Sequence, residues 1–187
     1  MTRLFIALTA LFIALTAATV LFCAPAIAQS VGEKTGVNSA LGISPTTEDF
    51  VKEATISDML EIESAKIAQL KGNAEEKKFA DQMIADQTKT SSELKGLVGS
   101  GDVKAEIPAS LDDSSKKKLT KLNDAKPEDF ASEYDAMQVS AHKDAVSLFD
   151  RYAKGGDNAK LKDWAGKTLP HLQHHLEIAQ TMDKNRK

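Results

Sequence analysis

Cysteine is nearly absent. The 187-residue chain has one, Cys23, which excludes a disulfide framework and the small secreted scaffolds that depend on one. Aromatic residues are sparse at 5%, proline occurs five times, and neither sign of charge prevails, with 24 Lys and Arg against 27 Asp and Glu for a formal net charge of −3. A mildly acidic chain argues against nucleic-acid binding, because phosphate contacts need clustered basic residues. The one basic cluster, Lys116, Lys117 and Lys118 with Lys121, follows Asp112 and Asp113 directly and reads as a solvated helix face. No glycine-rich phosphate loop, Gly-x-Ser-x-Gly elbow or His-Glu-x-x-His motif occurs, so the chemistries those motifs carry have no support here.

Long apolar runs are also missing from residue 29 onward; the single one is Leu4 to Phe22, behind Arg3 and ahead of Cys23-Ala24-Pro25-Ala26-Ile27-Ala28-Gln29. That pattern predicts a signal peptide over residues 1–28, cleaved after Ala28, and hence a periplasmic protein. The rival expectation is an inner-membrane anchor formed by the same run left uncleaved. Lipidation at Cys23 is disfavoured by the bulky Phe22 before it. Cleavage would remove the only cysteine, which excludes thiol chemistry, cysteine-ligated metal and cysteine-attached haem from the mature protein.

What the chain does contain is helical periodicity. Residues 29–45 are weakly patterned and are expected to be a flexible leader. A domain over 46–187 then opens at Ser44-Pro45-Thr46-Thr47-Glu48-Asp49, with a hydroxyl cap and acids in the first turn. One helix is expected to about Lys71, stopped by a left-handed Gly72-Asn73, and a second from about Ala74 to Val98. A long connection with a short helix from Asp112 to Asn123 follows. Lys126-Pro127-Glu128-Asp129 opens a third long helix, running to about Lys154. A fourth starts near Ala159 and should be kinked or divided by Pro170. Two helical hairpins with one long crossover predict an all-α, ferritin-like antiparallel four-helix bundle.

At 100° per residue, each long helix places a polar group on or beside its apolar stripe. These are Glu61, if the small-residue stripe Phe50, Ala54, Ala65 and Ala68 faces inward, then Gln87, Gln138 with His142, and His175. A buried carboxylate must be paired, ligated or protonated. Two expectations follow: a structural polar layer, or a transition-metal site built from Glu61, His142 and His175. A carboxylate-bridged di-iron site is disfavoured, because the Glu-x-x-His slots ending at Gln87 and His175 begin with Ile84 and Leu172. His171 and His175, one turn apart, would chelate a surface ion only weakly, and Trp164 with Met182 reads as core. No cofactor is otherwise expected.

The segments Phe50-Val51-Lys52-Glu53-Ala54 with Glu61 downstream, Phe79 through Lys89, Ala141-His142 before Leu148-Phe149, and Leu169-Pro170 before His175-Leu176 resemble one family over residues 46–184. It is the exported bacterial domain-of-unknown-function family numbered forty-one forty-two. The resemblance implies a ferritin-like fold and an envelope location, with members often labelled outer-membrane or membrane proteins. In that family the motif at this point of the second long helix usually reads Asp-His, and Asp86-Gln87 departs from it. A non-enzymatic binding or structural role is the first functional expectation, with an envelope protein or a small ligand as partner. A metal- or redox-linked role is the second.

Overall fold

The computed structural model describes residues 30–186; the signal peptide expected over 1–28 and its cleavage point lie outside them. Among the described residues the protein is all-helical, with seven helices and no strand: α1 (Val31–Lys34), α2 (Val37–Leu41), α3 (Thr47–Lys71), α4 (Ala74–Gly99), α5 (Asp113–Asp124), α6 (Pro127–Gly155) and α7 (Ala159–Arg186). No described helix is long and apolar enough to cross a membrane.

Local chemistry places the helix starts. The Thr46 side chain accepts from the Asp49 N–H, and Asp112 does the same for Ser115. Asn73 and Glu76 form a reciprocal capping box, and Pro127 occupies the first turn of α6, where its missing N–H costs nothing. The stop after α3 differs from expectation, because Gly72 is extended at φ −71° rather than left-handed. A Cβ there would lie 2.6 Å from the Ala68 carbonyl oxygen, so the glycine serves close approach. α7 continues through Pro170 as one helix.

Side-chain pairs establish how the helices run. Gln69–Asp81, Glu61–Gln87 and Asp58–Ser91 bonds step in opposite directions along α3 and α4. Ser64–Gln138 and Glu61–His142 do so along α3 and α6, and Asp86–His175 with Glu93–Trp164 along α4 and α7. Since α3 opposes both α4 and α6, those two run the same way, and the chain between them must travel the length of the assembly. Residues 100–126 make that journey, and α5 packs there on α3 and α6.

The interior divides into two apolar clusters. One gathers Phe50, Leu94, Phe149, Tyr152, Leu161 and Trp164, with Phe50 stacked on Tyr152 at 4.1 Å. The other gathers Ala68, Phe79, Met83, Phe130, Tyr134 and Met182. Trp164 and Met182, both expected in core, are buried in different clusters. The inward stripe of α3 is the small-residue one: Phe50, Ala54, Ala65 and Ala68 are fully buried, whereas Leu70 is 84% exposed.

Residues 30–43 carry more structure than their weak patterning suggests. They form α1 and α2 and are tied to the body by Arg151, whose guanidinium donates to both Glu33 carboxylate oxygens and to the Ile43 carbonyl. The partner lies more than a hundred residues away in sequence, which is why local composition did not announce it.

Candidate functional site

Between the two apolar clusters lies a layer of buried polar side chains, with one or two contributions from each long helix. Glu61, Ser64, Gln87, Gln138, His142 and His175 are each at most 2% exposed. The helical periodicity that buries their apolar neighbours aims them inward, and small residues flanking Glu61 on α3 leave them room.

Obligate acceptors set the orientation of each group. Gln87 Nε2 donates to Glu61 Oε2 at 2.7 Å, and a carboxylate oxygen accepts, so the amide oxygen of Gln87 points elsewhere. Ser64 Oγ donates to the Glu61 carbonyl and accepts from Gln138 Nε2 at 3.0 Å, which orients Gln138 likewise. His142 Nδ1 lies 2.9 Å from the Gln138 carbonyl and must be the protonated nitrogen. Its Nε2 faces Glu61 Oε2 at 3.2 Å. Two bare lone pairs would repel there, so this pair holds a proton between them. Burial raises the Glu61 pKa, against the lowering influence of His142 and Gln87.

His175 is held from the other side. Its Nε2 donates to the half-exposed Asp86 carboxylate at 2.9 Å. Burial, reinforced by the neighbouring His142, lowers its pKa to about 4, so the imidazole is neutral and its Nδ1 is a lone pair. The two imidazoles meet edge to face with ring centres 5.6 Å apart. Two imidazoles bound to one tetrahedral ion would have centres about 5 Å apart.

The structure therefore brings Glu61 and His142 into contact and sets His175 beside His142. His171 stays on the exposed surface and His174 points away. As the side chains stand, no group of three or more His, Cys, Asp or Glu among the described residues is gathered as a metal cage. Periodicity found the inward residues but missed Asp86, Ser64 and Asp58, whose roles depend on partners from other helices. Asp58 is buried one turn before Glu61, receives the Ser91 hydroxyl at 2.8 Å, and has its pKa pushed well up by burial.

What remains unpartnered is telling. Glu61 Oε1, Gln87 Oε1, Gln138 Oε1 and His175 Nδ1 are all buried without a hydrogen bond, and every one presents a lone pair. Each such group costs about 1–3 kcal/mol if left unsatisfied. A cleft of about 260 Å³ between α4 and α7, lined by Asp86, Gln87, Trp164, His171 and His175, opens onto this layer. α4 and α7 meet more sparsely than the two hairpin pairs, which leaves the cleft open.

A family model described as Domain of unknown function (DUF4142) matches residues 32–182. No curated protein and no solved structure matches the chain.

Proposed function

Because the chain belongs to the family described as Domain of unknown function (DUF4142), whose name assigns no chemistry, we propose a function from the geometry. The protein is an exported, ferritin-like four-helix bundle of the bacterial envelope that binds a transition-metal cation in its interior polar layer.

One observation carries this reading: Glu61 Oε1, Gln87 Oε1, Gln138 Oε1 and His175 Nδ1, four buried atoms around the Glu61–His142 pair, are unpartnered, and all four are electron-pair donors. A cluster of unpaired acceptors in the interior suits a cation or a strongly donating guest. Mixed imidazole nitrogen and oxygen ligands favour zinc, copper, nickel or iron over calcium. Both histidines also have their outer nitrogen tied off, one by a backbone carbonyl and one by a carboxylate, the arrangement that orients metal-binding imidazoles. Glu61 and His142 would form the heart of the site, with His175 and the amide oxygens of Gln87 and Gln138 completing it. The cleft between α4 and α7 is the route in. The role is binding rather than catalysis, and reproducible turnover by the purified protein would overturn that part.

The test is elemental analysis of untagged protein recovered from the periplasm without metal-affinity steps, beside a Glu61→Gln/His142→Ala/His175→Ala variant. Near-stoichiometric metal in the wild type that disappears in the variant is expected. Binding should also release about one proton, because the ion displaces the one shared by Glu61 and His142. Folded, metal-free protein that takes up no added Zn²⁺ or Cu²⁺ would leave the layer to ordered water and overturn the proposal.

A further inference from the structure

A second set of orphaned acceptors lies apart from the interior layer, where the start of α4, the first turns of α6 and the end of α7 come together. Glu76 and Asp135 are each 2% exposed. Glu76 uses Oε2 to accept the Asn73 N–H at 2.7 Å, and Asp135 uses Oδ2 to receive Arg186 Nε at 3.3 Å. The second oxygen of each carboxylate, Glu76 Oε1 and Asp135 Oδ1, is buried with no partner. Both residues line one hollow of about 190 Å³, with Glu75 and Asn185 at its wall.

Two like charges buried side by side repel and are costly without a counter-charge. Arg186 supplies one positive charge, but of these two carboxylates it bonds only Asp135, through Oδ2, and it also donates to Asp183. The two orphaned oxygens come from different helices, and the acceptors that the hollow's polar side chains offer are oxygens, with no imidazole or thiolate in its lining and Met182 adding only a weakly ligating thioether. We propose that this hollow is a binding site for a hard divalent cation, Ca²⁺, held by Glu76 Oε1 and Asp135 Oδ1 with the Asn185 side chain and water completing its shell. Ca²⁺ accepts irregular sets of six to eight oxygens, whereas Mg²⁺ demands near-octahedral order. With only two carboxylates, the affinity belongs to the weak class of extracellular modules, about 10⁻⁴–10⁻³ M. Arg186 is the built-in competitor, a tethered cation that occupies the site's edge when Ca²⁺ is scarce. The ion would join α4, α6 and α7 at the end of the assembly. The site shares no residue with the interior layer, so it stands or falls separately.

Calorimetric titration of the full-length protein with CaCl₂, with NaCl at matched ionic strength and MgCl₂ as controls, tests it. Saturable binding of one Ca²⁺ is expected, at least about tenfold weaker in Asp135→Asn. In Arg186→Gln, loss of the competing charge should tighten binding by about threefold or more. A gain in affinity does not arise from misfolding, so this variant decides the matter even if Asp135→Asn folds poorly. Absence of saturable binding in the wild type, an unchanged Asp135→Asn, or an Arg186→Gln that binds no more tightly would each overturn the proposal.

Discussion

Gln87 shows most directly how one residue holds the interior together. It occupies the middle of an apolar stripe, yet it is the amide donor that satisfies Glu61 Oε2. Gln87→Leu should therefore destabilise the protein by about 1–3 kcal/mol, read from the urea midpoint, since it leaves a buried carboxylate with one partner fewer. A neutral or stabilised variant would show Gln87 to be filling space only. Titration gives a second prediction. His175 has its pKa lowered to about 4 from 6.5, so it binds fewer protons folded than unfolded between those values, and acidification through that window costs stability. Asp135 has its pKa raised to about 6 from 3.8 by burial and by Glu76, so it does the opposite and acidification through its window adds stability. Relative to wild type, Asp135→Asn should lose stability on going from pH 7 to pH 5, and His175→Gln should gain it, by urea denaturation at each pH. At this scale the sequence was legible wherever a residue's role follows from its angle on its own helix. Glu61, Gln138, His142 and His175 were found that way. Asp86 was not, because it stands half-exposed at the edge of its helix and acquires its role only when α7 brings His175 against it.

The boundaries of the long helices were readable because the signals that set them are local: Thr46, Asn73, Asp112 and Pro127 act within three residues of where they stand. The segment before α3 obeys a different logic. Its helices are too short to be stable alone, and what holds them is the bidentate Arg151–Glu33 pair, with side chains only 8% and 5% exposed, together with the Ser30 N–H on Asp49 and the Ser39–Ser147 contact. Removing one member of a buried ion pair leaves the other uncompensated, at about 3–5 kcal/mol. Glu33→Ala should release the segment selectively. Amide hydrogen exchange should show residues 31–43 losing protection while α3 to α7 keep theirs, and uniform protection would mean that other contacts dock it. Val31, Val37, Leu41 and Ile43 remain exposed on this segment, so apolar burial gives it little independent hold.

For the whole molecule, the polar layer between two apolar clusters implies that a guest bound there joins all four long helices. Saturating the interior with a tightly held ion should raise the melting temperature, because a ligand that binds only the folded state adds stability by mass action, about 2.7 kcal/mol at a hundredfold excess over the dissociation constant. Stripping with a chelator should reverse the shift, and a melting temperature indifferent to both treatments would count against the interior site. Intact mass of the exported protein would test the compartment, a chain beginning at Gln29 being expected. The sequence by itself determined the helical class, the extents of the long helices and the faces they turn inward, since propensity, capping and periodicity are properties of neighbours along the chain. Only the tertiary structure decided which inward groups meet and which nitrogen of His175 is bare. It alone gathered Glu76, Asp135 and Arg186 from three helices into one hollow, because those outcomes depend on contacts between residues tens to more than a hundred positions apart.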